Sequence, residues 1–164
     1  MSWDLDVVPR AHSSEPGEWL ESLVGTPGDA EAAREHAAAI RAARPELEAS
    51  EPDEDGAMEL GTTEESGLPL QVFLDGRHAS LNVPYWDLGE RTGELSELVE
   101  DVVRALVERT GWVAYDPQEG RAVEVEELRE TFLASHEQGV DFVREIVAKE
   151  EKPRKRRFFG LFDG

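Results

Sequence analysis

The sequence predicts an α+β protein built on a mostly antiparallel sheet with helices on one face, and three observations carry that prediction. Residues 3–8 alternate apolar Trp3, Leu5 and Val7 with Asp4 and Asp6, the period-two pattern of a strand with one apolar and one acidic face. Asp75-Gly76 divides two strand-like runs, 68–74 and 77–85, as a hairpin turn does. Leu95, Leu98, Val99, Val102, Val103, Leu106 and Val107 recur at helical spacing between Thr92 and Gly111, the strongest amphipathic pattern in the chain.

The elements follow in order. Pro9 ends the first strand, and Ser14, Glu15 and Pro16 open a short helix carrying Trp19, Leu20, Leu23 and Val24, which Gly25 stops. Thr26 as N-cap and Pro27 at the first helical position start an alanine-rich helix whose inner stripe is Ala30, Ala33, Ala37 and Ile40; Pro45 terminates it. Residues 46–57 contain Pro52 and Gly56 and no apolar period, so they read as an exposed loop, with a short strand over 58–61. The hairpin comes next, with a two-residue Asp75-Gly76 turn that favours positive φ. Beyond the long helix, 112–115 reads as a strand, 116–120 as a turn and 121–125 as another strand. Leu128, Phe132, Val140, Val143, Ile146 and Val147 mark a last helix, with Gly139 its weak point.

This order suits a ferredoxin-like arrangement with an extra C-terminal helix. The long helix extends about 25 Å at ~1.5 Å per residue, enough to carry the chain back along the strand before it. Strands 79–85 and 112–115 are therefore expected to run parallel. Their carboxyl ends then emerge on one edge, where Tyr85, Trp86 and Asp87 approach Tyr115, Asp116 and Gln118.

With 164 residues, 39% of them hydrophobic, the chain has material for one core and too much apolar content for wholesale disorder. It has no cysteine, which excludes disulfides, thiol catalysis and cysteine-based metal sites. The stretch MSWDLDVVPR has no basic n-region or apolar h-region, and no run approaches the roughly 18 apolar residues of a spanning helix. A soluble, cytoplasmic protein is expected.

The formal net charge is −20, unevenly spread. Lys152, Arg154, Lys155, Arg156 and Arg157 face a single acid, Asp163, in residues 152–164; subtracting them from 17 bases and 37 acids leaves 12 against 36, a net of −24 for residues 1–151. Residues 1–148 are read as one acidic domain and 149–164 as a basic, aromatic flexible tail. Such a body repels phosphate, so nucleic-acid binding through it is not expected. A solubilising surface and a patch for a cationic partner remain the two readings of the charge.

Little in the sequence points to catalysis. His12, His36, His78 and His136 form no close ligand pair; His136 falls on the apolar stripe of the last helix as a core histidine, and His78 beside the hairpin turn as a solvated one. Glu51, Asp53, Asp55 and Gly56 imitate the start of a calcium loop, but the twelfth position is Thr62 where a bidentate glutamate is needed. The GxSxG, GxxxxGK[ST] and GxGxxG signatures are absent. No catalytic residue, metal or cofactor is assigned. Tyr85, Trp86, Asp87, Tyr115, Asp116 and Gln118 are the candidate partner-binding residues, able to stack and hydrogen-bond; the alternative is that both tyrosines pack the sheet edge and Asp116-Pro117 only turns the chain. In the tail, the five cations join Phe158, Phe159, Leu161 and Phe162 in the pattern of an interfacial anchor. Transient membrane contact, fold-back onto the acidic body and a partner's groove are its alternative uses.

With WDLDVVP at the start, VPYW after the hairpin and YDPQ after the long helix, the chain resembles small uncharacterised bacterial α+β proteins of no defined family. Its size and acidity are similar to those of immunity proteins, which implies the masking of a basic protein partner. The leading expectation is thus a noncatalytic acidic protein-binding module, ahead of a peripheral membrane adaptor using the tail or an enzyme of unrecognised type.

Overall fold

The computed structural model describes residues 1–150. Seven strands form one sheet: β1 (Ser2–Val8), β2 (Glu48–Ala49), β3 (Met58–Gly61), β4 (Gln71–Leu74), β5 (Ala79–Pro84), β6 (Val113–Asp116) and β7 (Arg121–Val123). Four α-helices accompany them: α1 (Pro16–Leu23), α2 (Ala30–Ala43), α3 (Thr92–Thr110) and α4 (Val125–Glu150). The strand order is β2-β3-β4-β5-β1-β6-β7, and every neighbouring pair is antiparallel. This is the expected α+β class, with a sheet larger than a four-stranded ferredoxin-like one: β2 and β3 widen one side and β7 the other. Because β1 lies between β5 and β6 and is antiparallel to both, those two strands run parallel to each other.

Alternation along each strand sends one set of side chains to a common core. Trp3, Leu5 and Val7 of β1, Val72 and Leu74 of β4, and Ala79, Leu81 and Val83 of β5 are buried on the side packed by α2, α3 and α4. Helix α3 is central in that layer, in contact with α2 and α4, and supplies Leu95, Leu98, Val99, Val102, Val103 and Leu106. Each fully buried side chain of this kind contributes about 1.5–3 kcal/mol. Among the described residues no helix layer covers the opposite face of the sheet, a condition antiparallel sheets tolerate when that face is polar.

Several local expectations change. Helix α2 begins at Ala30 under an Asp29 cap that accepts from the Ala32 N–H at 3.0 Å, not under Thr26, because the Gly28 and Asp29 amides donate to the Asp55 and Asp75 carbonyls and hold that stretch extended. His36 joins its buried stripe. The expected loop over 46–57 contains β2, and Leu47 is fully buried. The hairpin pairs Leu74 with Ala79, so its connection is the four residues 75–78 rather than two. Gly76 is indispensable there: its φ is +84°, and a Cβ would collide with the Asp29 carbonyl oxygen. Helix α4 runs unbroken through Gly139 to Glu150.

Candidate functional site

The expected site divides between the two sides of the sheet. Tyr85 continues the inward set of Ala79, Leu81 and Val83; its ring packs against Gly139 of α4 and lies 5.8 Å from the His136 ring. Burial, with Asp4 and Asp116 nearby, pushes its phenol up. Asp116 is 0% exposed, and its Oδ1 accepts from the Gln118 and Glu119 amides, so it shapes the β6–β7 turn. In the amide orientation that satisfies both of its atoms, Gln118 donates to Asp116 and accepts from the Asp4 N–H at 3.0 Å. Asp87 is paired with Arg144 of α4. Tyr115 lies on the other side of the sheet, opposite Asp6 of β1. Trp86 is 55% exposed. Lys152, Arg154, Lys155, Arg156, Arg157, Phe158, Phe159 and Phe162 lie outside the described residues.

The fold also assembles a sheet face that no helix layer of the described residues covers. Register puts Glu59, Phe73, Ser80, Asp6, Tyr115 and Ala122 in one row across β3-β4-β5-β1-β6-β7. The adjacent row contains Gly61, Gln71, Asn82 and Asp4. Ser80 donates to Asp6 at 2.8 Å and Asn82 to Asp4 at 2.6 Å, so both carboxylates are held upright by the neighbouring strand. The strand positions on this face carry no lysine or arginine. One end of the face is closed by the segment after β1: Trp19 of α1 stacks on His12 at 4.4 Å and meets the His78 ring edge-on. The other end opens into a cleft of ≈ 260 Å³, where Gln71 and Pro84 adjoin Trp86, Leu68, Pro69 and Glu64.

Sequence reasoning placed two aromatic strand exits in one site and passed over this face. The signal was present: Asp4 and Asp6 alternate in β1 as Ser80 and Asn82 do in β5.

The histidines are not solvated as a group. His78, expected in solvent, is largely buried, with Nδ1 3.1 Å from Asp75 Oδ1. His136 is 1% exposed between the Phe132 and Tyr85 rings, and burial lowers its proton affinity, as it does for His36 against Trp112. Asp53 Oδ1 is engaged by the Asp55 and Ala57 amides of its own turn. Among the described residues no group of three or more His, Asp or Glu side chains is placed to hold a metal ion, and no helix is long and apolar enough to cross a membrane.

Asp6 makes the face electrostatically legible. Burial raises its carboxyl above the ordinary 3.8, the Ser80 hydrogen bond and His78 oppose that rise, and Asp4 adds to it. A raised carboxyl takes up protons more readily in the folded chain, so its ionisation subtracts stability as pH climbs through the raised value. Asp6→Asn keeps an acceptor for Ser80. It is expected to raise Tm at pH 7 by about 1–2 °C, the shift for ~0.5 kcal/mol in a chain of this size, and to lose the advantage below the unfolded value. Thermal melts at pH 7 and pH 3 decide it: a Tm lowered at pH 7 refutes the assignment.

Compared with known proteins, the chain matches no family model, no curated protein and no solved structure.

Proposed function

We propose that the chain is a noncatalytic acidic protein-binding module whose uncovered sheet face masks a basic protein partner. The observation that supports this most is the face itself: Asp4, Asp6 and Glu59 project from strands that place no cation among them. Phe73 and Tyr115 give that face apolar area, and the exposed ring of Trp86 stands at its edge as an aromatic anchor. A body of net −24 steers a cationic partner towards it, making association fast and salt-sensitive.

The immobilised full-length chain, offered an extract of its native host at about 50 and 150 mM salt, is expected to retain a basic protein more strongly at the lower salt. Asp4→Asn/Asp6→Asn should weaken retention about two- to thirtyfold, since each of two exposed ion pairs is worth ~0.2–1 kcal/mol. Recovery of no basic protein at either salt, or equal recovery by the variant, overturns the reading. Flotation with anionic vesicles, unaltered by the same substitutions and without any captured protein, supports the membrane-adaptor alternative instead.

A further inference from the structure

We infer that the cleft between α4 and residues 87–92 is a binding site for a primary alkylammonium, the cation of a short apolar amine, with His136 Nε2 as an acceptor of one of its N–H groups. The inference goes beyond the masking of a basic protein and concerns the helix side of the sheet, not the open face.

The cleft follows from the helical period. Leu133, His136, Glu137, Val140, Asp141 and Arg144 fall at i, i+3, i+4, i+7, i+8 and i+11, so one stripe of α4 carries all six. That stripe faces Asp87, Leu88 and Thr92, where the chain passes from β5 into α3, and the two walls border a space of ≈ 440 Å³. A volume of this order is that of a small-molecule site. Leu88 and Leu133 pack against the core and Val140 is buried, which gives the cleft apolar walls for a short carbon chain.

Two observations specify the ligand's head group. The first is an unmet acceptor: His136 is 1% exposed, yet its Nε2 has no hydrogen-bond partner among the described residues. The hydrogen bond this ring does make is with the backbone of Pro84, which has only a carbonyl to offer. Nδ1 therefore carries the proton, and Nε2 presents a lone pair on the ring edge turned away from β5, towards the cleft that His136 lines. Burial lowers the ring's proton affinity and keeps it neutral. A buried acceptor left unmet is a standing penalty, and a donor entering the cleft removes it.

The second is charge. Asp87, Glu137 and Asp141 line the cleft, against Arg144 as the one cation among its described lining residues. Arg144 is engaged with Asp87 and, at 3.2 Å, with Asp141. Glu137, exposed on the rim, is the carboxylate of the set without a cation among the described residues. An ammonium supplies both the missing donor and the missing charge. An alcohol brings the donor alone, and a carboxylate or phosphate meets a lone pair and three acids.

Hexylammonium, hexanol and hexanoate share one carbon chain and differ in head group, and the isotopically labelled full-length protein shows by NMR where each binds. Hexylammonium should shift the Thr92, Leu133 and Glu137 amides saturably, with a Kd of about 1 mM or tighter. It should also move the His136 Nε2 signal upfield as that nitrogen accepts a hydrogen bond. Hexanol should bind at least about threefold and hexanoate at least about tenfold more weakly. Glu137→Gln, a change on the surface, should weaken hexylammonium about two- to fivefold and leave hexanol unaltered. His136→Phe should weaken it further; if that core variant does not fold, the Nε2 signal of the parent decides alone. An unmoved Nε2 signal overturns the inference, as does hexanol or hexanoate binding as tightly as the amine. Shifts of equal size at Asp4, Asp6 and Ser80 also overturn it, since they are those of any cation drawn to an acidic body. Tighter binding of Nα-acetyl-lysinamide than of hexylammonium assigns the cleft to a partner's lysine and overturns the free amine as its ligand. Capture of a basic protein by the open face is read separately, so either result stands without the other.

Discussion

Asp75→Ala is expected to cost about 3 kcal/mol of folding stability at pH 7. The Asp75 carboxylate is 4% exposed and organises the β4–β5 connection: it accepts the Arg77 and His78 amides at 2.8 and 3.1 Å and the Arg77 guanidinium at 2.7 and 3.0 Å. Arg77 passes the tie on, donating to the Thr26 hydroxyl at 2.6 Å and the Thr26 carbonyl at 3.1 Å. One carboxylate thus fastens the hairpin to the segment leading into α2. Breaking a buried pair costs roughly 3–5 kcal/mol, and the partial exposure of Arg77 argues for the lower end. Burial alone would raise the Asp75 carboxyl, but the hydrogen bonds from His78 and Arg77 outweigh it and hold the group well below the usual carboxylate range. A depressed carboxyl contributes its stability in full above the unfolded value of 3.8 and loses it as pH falls towards the folded value. Urea unfolding should therefore show the widest gap between parent and variant at pH 7, narrowing in acid. A gap under 1 kcal/mol at pH 7, or one that widens at pH 3, contradicts the assignment. Asp75→Asn keeps an acceptor for the two amides and should fall between them.

Gly139→Ala should also destabilise, by about 2 kcal/mol, against what helix propensity predicts. In an open helix the exchange gains about 1 kcal/mol. Here the new Cβ would land on Cε1, Cδ1 and Cζ of the half-buried Tyr85 ring, which packs against the core and the His136 ring. Overpacking of that kind costs roughly 1–3 kcal/mol, and the rigidity of a ring favours the upper figure. Gly93→Ala in α3 meets nothing within 4 Å and serves as the contrast, expected neutral to stabilising. Chemical denaturation of both variants, with Tyr85→Leu completing a double-mutant cycle, separates packing from propensity. If Gly139→Ala gains stability as Gly93→Ala does, Tyr85 does not lie against α4 as described.

The same Tyr85–Gly139 contact shows how far a sequence can be read. Parity alone assigns Tyr85 to the side of Ala79, Leu81 and Val83, and Asp116 to that of Ala114, so the side of the sheet each one takes was legible. Reading them as exposed grouped residues by nearness along strand ends and neglected which way each one points. The hairpin was legible as a hairpin, since Asp-Gly supplies the positive φ that Gly76 adopts. Its four-residue span was not, because it depends on Asp75 drawing in two amides and on an arginine reaching back to Thr26. The Asp29 cap of α2 escaped for a similar reason: two backbone bonds to residues 55 and 75 displaced a start signal that was locally sound.

From its sequence alone this chain determines its acidic body, the two-faced character of β1 and β5, the amphipathic α3 and the basic run beyond Glu150. Each of these is a matter of composition or of a period only a few residues long. Only the tertiary structure decides that β1 sits between β5 and β6, and hence that Asp4 and Asp6 stand between Ser80, Asn82 and Tyr115 on a face that no described helix layer covers. The strands that meet there are separated by more than seventy residues, and their pairing is selected by hydrogen-bond ladders and a shared core rather than by any local preference.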